Sequence, residues 1–334
     1  MSKVLITGAG GYIGSVSASL FLDNGFEVVA IDNFSTGYKA PLELLQKKYS
    51  EDKVKFYEAD LVGDLSPIFR QEQDISGIVH YASPCLVNES MEIPEKYFRG
   101  VSVILNLLDN MRKNNINSII FSSTCAVYGQ AQYVPIDEAH PTNSVNPYGL
   151  GKRMVEQVLE WHQKIYGINY VVLRYFNVCG ATDDGIIGDS KKPSVLLMQN
   201  AVRGALDIEP FYLTCPKVET PDGTPIRDYI NVVDLNKAHL ASFEYLQKGK
   251  KGDVFNLGTG TGNSVMEIVN KVQEITGKKF EIENSEPRKG EYATMIAKID
   301  KAKQVLGWSP THTIEDSVNS LVKWYTAHPN GWDH

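Results

Sequence analysis

The 334-residue chain is predicted to be an α/β protein on a doubly wound parallel (Rossmann) sheet, with a smaller C-terminal α/β substrate domain. Three observations predict the sheet. Short apolar runs alternate with amphipathic stretches from the N-terminus onward, the pattern of parallel strands covered by helices on both faces. A glycine turn, Gly8-Ala9-Gly10-Gly11-Tyr12-Ile13-Gly14, joins the first run to the first helix. Asp32 closes the second run, 18 residues after Gly14.

Val4-Leu5-Ile6-Thr7 is the first buried strand, and Ser15 to Asn24 reads as a helix closed by Gly25. The turn between them lets a pyrophosphate approach the backbone and rest on the positive helix N-terminus, so Gly8, Gly11, Tyr12, Ile13 and Gly14 are candidate cofactor-binding residues. Val28 to Ile31 forms the next strand. At its end Asp32, with Asn33 beside it, can accept hydrogen bonds from ribose hydroxyls and would repel a 2′-phosphate, which selects NAD over NADP. Val54 to Tyr57, Gly77 to Tyr81 and Ile119 to Ser122 continue the strand series. Ligands of such sheets lie beyond the strand carboxyl ends, so Asp60 and Leu61 are candidates for the adenine end and Tyr81, Ala82 and Ser83 for the cofactor trough. Each of these could equally be ordinary loop structure.

Composition narrows the partners. With 43% hydrophobic and 22% charged residues the chain can bury a large core. A net charge of −7 argues against an extended nucleic-acid face, although local arginines could hold a small anion. Cys85, Cys125, Cys179 and Cys215 are far apart and form no CxxC pair, so neither a disulfide framework nor a metal site is expected. No leader pattern opens the chain and no apolar run reaches the ~18 residues of a membrane span. A cytoplasmic protein with a small-molecule partner is the expectation.

Tyr148 and Lys152 stand four residues apart at the start of an amphipathic helix, one turn apart on one face. A nearby ammonium stabilises a phenolate and lowers a phenol pKa from about 10, which makes the pair an acid/base device. The strand that ends at Ser122-Ser123-Thr124 offers a hydroxyl for the same reacting oxygen. A surface tyrosine and lysine on an ordinary helix is the plain alternative, since the spacing alone is common.

With these motifs in place the chain resembles the extended short-chain dehydrogenase/reductase family along essentially its whole length. Gly8, Gly11 and Gly14 match the family's glycine motif, and Thr124, Tyr148 and Lys152 match its catalytic set. Arg174-Tyr175-Phe176-Asn177, Asp222 to Val232, Arg288 with Gly290, and His328-Pro329-Asn330-Gly331-Trp332 are similar to the UDP-glucose (UDP-galactose) 4-epimerase subgroup. The resemblance implies bound NAD, a UDP-sugar substrate, a homodimer, and C4 inversion by reversible hydride transfer through a 4-keto sugar. It further implies that Phe176 lies by the nicotinamide and that Asn177, Arg227 and Arg288 hold the sugar diphosphate, a role guanidinium forks suit. Met295 falls where family members use side-chain size to exclude or admit a 2-acetamido sugar.

Three other positions depart from the family pattern. Cys85 replaces a cofactor-binding lysine, Gly100 replaces an asparagine near the cofactor, and Leu150-Gly151 precedes the lysine, leaving Gly149 and Gly151 in the first turns of the helix. Cys125-Ala126 follow Thr124 where dehydratases of the superfamily carry an Asp-Glu pair, so water elimination is disfavoured. Other converters of nucleotide sugars, acting on UDP-N-acetylhexosamine or UDP-uronate, and a non-catalytic NAD-binding protein remain alternatives. The expected domains are 1–176 with about 231–258 for NAD, and 177–230 with 259–334 for the nucleotide sugar. Helices are expected at Val233 to Gln247, Val265 to Thr276 and Ile314 to Tyr325, and Asp253 to Leu257 is expected to return to the large sheet. The polar, glycine-bearing stretch from Asp183 to Pro193 reads as a surface loop or a closure over substrate.

Overall fold

β1 (Lys3–Thr7) forms as expected, and α1 (Tyr12–Asp23) begins before the predicted Ser15 because Gly11 leaves the turn in extended backbone and acts as N-cap. The computed structural model describes residues 2–191, 194–286 and 292–332. β2 (Glu27–Asp32), α2 (Ala40–Tyr49), β3 (Val54–Glu58), α3 (Ser66–Gln71) and β4 (Ile75–His80) follow. The chain continues through α4 (Val87–Ser90), α5 (Pro94–Lys113), β5 (Ser118–Thr124), α6 (Pro147–Tyr166) and β6 (Asn169–Tyr175). β7 (Asn177–Cys179), α7 (Leu197–Ala205), β8 (Phe211–Leu213) and β9 (Ile226–Asn231) lead to α8 (Val232–Gln247) and β10 (Asp253–Leu257). The remainder is β11 (Gly262–Ser264), α9 (Val265–Thr276), β12 (Ile282–Asn284), β13 (Thr294–Met295), α10 (Asp300–Leu306) and α11 (Ile314–Ala327).

Among the described residues, seven strands make one sheet in the order β10-β6-β5-β4-β1-β2-β3, with every neighbouring pair parallel. Strand order reverses between β1 and β4, where Thr7 faces His80, so the ligand crevice opens beyond those two residues. The continuous apolar runs follow from two-sided burial. Val4 and Ile6 pack with Phe21 and Phe243 under α1 and α8, while Leu5 packs with Ile104, Leu107 and Val155 under α5 and α6.

The smaller lobe gathers β7, β9, β11 and β13 into a second sheet, packed near α7, α9 and α11 through Met198, Val202, Ile268 and Leu321. α9 has the predicted bounds: Ser264 and Glu267 form a capping box at its start, and Gly277 turns left-handed at its end, at φ 66°. Asn231 caps α8 through a 2.7 Å bond from Val233 N.

Candidate active site

The glycine turn is held from three sides. Gly8 has φ +71°, and a Cβ there would stand 2.6 Å from Ala82 N; one on Gly14 would stand 2.1 Å from Gly8 O. Gly11 differs, because a Cβ would meet Gly8 O alone within 4 Å, at 3.3 Å. Its missing side chain therefore leaves room outside α1, whose N-terminus no side chain caps. The first-turn amides, those of Tyr12 and Ile13 among them, can turn to an anion there with the helix dipole behind them. Asp32 Oδ2 accepts from Gly10 N at 2.9 Å and Oδ1 from Phe34 N at 2.8 Å, which ties the turn to β2. Burial raises its pKa against those amides. Each oxygen keeps a further lone pair for ribose hydroxyls, so the cradle fits a dinucleotide whose ribose is unphosphorylated.

The other expected cofactor contacts are placed unevenly. Asn33 is exposed and accepts from Ser35 N at 3.1 Å. Asp60 is exposed and accepts from Val62 N, and Leu61 O accepts from Asn106 on α5 at 2.7 Å. Ala82 and Ser83 line the cleft beside Lys152. Two tyrosines offer backbone alone. The Tyr12 phenol donates to Gly180 O, and Tyr81 Oη lies 2.8 Å from Asn236 Oδ1 and 2.9 Å from Ser17 Oγ, between α1 and α8.

α6 starts at Pro147 with Asn146 as cap, its Oδ1 accepting from Gly149 N at 2.8 Å. Tyr148, Lys152 and Glu156 then recur every four residues on the inward face. The two glycines of the first turns have a packing reason: a Cβ on Gly149 would stand 2.5 Å from Ala126 O, and one on Gly151 2.7 Å from Tyr97 O on α5. Close approach of α6 outweighs the ~1 kcal/mol of helix propensity that a glycine forfeits. A Cβ built on Gly100 would make one ordinary contact, with Val155 Cγ2 at 3.8 Å.

Lys152 is buried and donates from Nζ to Ser122 O at 2.8 Å. Burial lowers its pKa to about 8. Tyr148 packs edge-on against Tyr97, the ring centroids 6.2 Å apart. Burial, followed by Tyr175 and Cys85, raises its pKa well above the usual phenol range, and hydrogen bonding with Thr124 opposes this. Loss of hydration is thus the leading influence on the phenol of the protein alone, and the Lys152 ammonium donates to a carbonyl of β5. Thr124 Oγ1 accepts from Ala126 N at 3.2 Å and so starts a short 3-10 turn, Cys125–Val127, beside Tyr148.

Behind this pair lie groups whose roles are not legible in the sequence. Arg174 grips Glu156 with two bonds, Nε to Oε1 at 3.0 Å and Nη2 to Oε2 at 2.6 Å, and Ser123 Oγ donates to Glu156 at 2.6 Å. His239 Nδ1 lies 2.9 Å from Leu235 O and must donate to it, so Nε2 accepts the Ser122 hydroxyl, also at 2.9 Å. Burial lowers His239 to about 4 and His80, whose Nδ1 is 2.6 Å from Thr7 Oγ1, to about 3. Both histidines have folded pKa values below the unfolded value of about 6.5, so below that pH the unfolded chain binds protons that the folded one refuses. Their contribution is intact above pH ~6.5 and is lost as pH falls toward those values. Urea unfolding at pH 7.5 and 5.0 is expected to show a loss of about 2 kcal/mol from His239 alone, which His239→Gln should remove. An unchanged pH slope in that variant would contradict a buried neutral imidazole.

On the substrate side, Phe176 is buried against Met295, Val127 and Tyr128. Asn177 is half-buried and pairs with Tyr229 at the start of β7. Arg227 lies opposite Met295 in the sheet, and its charge acts on the Cys125 thiol and Tyr292 phenol, which sets it beside the β5 exit. Asp228, within the Asp222 to Val232 motif but given no role by it, is buried and accepts from Thr259 N at 2.6 Å, Gly260 N at 2.9 Å and Ala297 N at 3.2 Å, joining three segments around that arginine. Arg288 lies outside the described residues.

A phenol and an ammonium one helical turn apart, facing a crevice shaped for a dinucleotide, is the arrangement of the extended short-chain dehydrogenases/reductases. The chain belongs to the NAD dependent epimerase/dehydratase family, whose sequence model matches residues 4–258. It is 37% identical to the UDP-glucose 4-epimerase of Streptococcus mutans over 99% of this chain and 98% of the relative. Identity to the UDP-glucose 4-epimerase of Corynebacterium glutamicum is 39%, covering 93% of this chain and 92% of the relative. The crystal structure of UDP-glucose 4-epimerase from Bifidobacterium longum in complex with NAD+ and UDP matches with a TM-score of 0.92 at 34% identity, over 99% of this chain and 100% of that one. The predicted fold class and family are thus those observed.

Proposed function

We propose that the protein is an NAD-dependent epimerase that interconverts UDP-galactose and UDP-glucose. The observation that carries this reading is the Tyr148 and Lys152 pair, with Thr124 beside it, at the exit of the crevice whose other wall is the glycine turn. The similarity to UDP-glucose 4-epimerases over the whole chain supports the substrate class. When bound, NAD+ supplies the acceptor for the C4 hydride, which returns to the opposite face of a 4-keto sugar, and a positive ring beside the phenol.

The chain's own residues do the rest. Tyr148 Oη takes the C4 hydroxyl proton and later returns it. Because burial holds Tyr148 protonated, its deprotonation depends on positive charge in the pocket, and Lys152 is the protein's share of that charge. Thr124 orients the C4 oxygen, while Arg227, Asn177 and Arg288 hold the diphosphate so that the sugar can turn. Met295, packed against Phe176, bounds the sugar side. Cys125 and Ala126 offer no acid/base pair, which speaks against a dehydratase.

We assign residues 1–176 with about 231–258 to NAD and 177–230 with 259–334 to the UDP-sugar. Exposed apolar side chains on α5 and α6, among them Leu105, Met154, Trp161 and Ile165, support a homodimer joined through that face. Sedimentation is expected to give twice the 37.2 kDa chain mass. Among the described residues no helix is long and apolar enough to cross a membrane. Four free cysteines suit a reducing cytoplasm. Incubating the purified protein with UDP-galactose and no added NAD should yield UDP-glucose; failure to convert either hexose, with conversion of the N-acetyl forms instead, would overturn the preferred substrate.

A further inference from the structure

The turn that follows β7 reaches back over the nucleotide lobe. Tyr38 N donates to Gly10 O at 2.9 Å, so Tyr38 sits on the glycine turn, and its Oη donates to Ser190 O at 3.0 Å. Ser190 Oγ accepts from Trp332 N at 3.1 Å, and the neighbouring Asp189 is buried, with its Oδ2 accepting from Ser194 Oγ at 3.0 Å and its carbonyl from Trp324 Nε1 at 3.0 Å. This is a braced turn, and it delivers Lys191.

The Lys191 ammonium donates to Cys85 Sγ at 2.8 Å. Cys85 follows Ala82 and Ser83, which line the cleft with Lys152, and Ala82 N is the atom that a Cβ on Gly8 would strike. Lys191 thus joins its own turn, which Tyr38 ties to Gly10, to the segment that follows Ala82 beside Gly8, between the open N-terminus of α1 and the Tyr148 pocket. A dinucleotide running from that helix to that pocket brings its diphosphate past this point, and the first turn of α1, Tyr12-Ile13-Gly14-Ser15, carries no cation. Although burial opposes its charge, Cys85, Asp189 and Glu89 raise the Lys191 pKa, so the ammonium is retained.

We propose that Lys191, carried by the substrate lobe, is the cation that grips the diphosphate of the dinucleotide across the crevice. This rests on the NAD-binding reading above. Retention of the cofactor is then tied to the position of a segment that also borders the substrate side.

The test is direct titration of NAD and of ADP-ribose, which keeps the diphosphate without the nicotinamide, into cofactor-stripped wild type, K191A, K191R and K191A/C85K. Loss of one charge-assisted contact is expected to weaken both ligands by about 10- to 100-fold in K191A. K191R should stay close to wild type, and C85K should restore binding to K191A because Sγ already lies where the ammonium rests. K191A that binds ADP-ribose as tightly as wild type, or a loss that neither K191R nor C85K recovers, would overturn the proposal. Wild type that binds NAD but does not epimerise would sink the proposed function and leave this inference standing.

Discussion

Tyr148→Phe is expected to keep the fold and the bound dinucleotide while lowering kcat by about 10²- to 10⁴-fold, the range of a lost proton-transfer group. The ring is retained, so its edge contact with Tyr97 at 6.2 Å survives and α6 has no reason to move. Only the hydroxyl leaves, and with it the atom proposed to exchange a proton with the C4 oxygen. Steady-state turnover of UDP-galactose, with NAD content and circular dichroism as controls, checks this. A variant turning over at more than a tenth of the wild-type rate would take Tyr148 out of the proton-transfer role.

Glu156→Gln is expected to destabilise the protein by about 3 to 5 kcal/mol, since it leaves the Arg174 charge buried without its counter-ion. Glu156 is 0% and Arg174 4% exposed, so water cannot stand in for the lost partner. The pair also fastens α6 to β6 directly behind Lys152, and activity should fall alongside stability. Replacing both residues by apolar ones, Glu156→Leu with Arg174→Met, should recover much of the stability. Urea unfolding of the two variants separates a paired charge from a merely crowded one. A single-variant loss under about 1 kcal/mol would show that the pair contributes little.

The parts of the site legible in the sequence are those whose chemistry is local. The glycine turn, Asp32 at the end of β2 and the Tyr148/Lys152 spacing each sit within one strand, turn or helix, where period and composition speak directly. Partners brought together by folding were not legible. Glu156 and Arg174 are 18 positions apart on different elements, and Lys191 meets Cys85 across 106. One signal was available: Glu156 follows Lys152 by four, so an acid had to share the inward face and needed a partner. Tyr81 shows the converse difficulty. Its position at a strand end was readable, but the direction of its side chain was set by Asn236 on α8, 155 residues away. The phenol of Tyr148 shows a further limit, because spacing reveals a neighbouring charge and is silent on how much water is lost.

The edge strand β10 pairs with β6 along Asp253 to Leu257, and α8 brings Phe243 against Phe21 and Phe26 in the layer it shares with α1. Both arrive after the chain has already wandered through β7 to β9. During synthesis the seven-stranded sheet therefore stays unfinished until some 257 residues have left the ribosome, well after its glycine turn has emerged. A single proteolytic nick therefore cannot release the seven-stranded sheet whole.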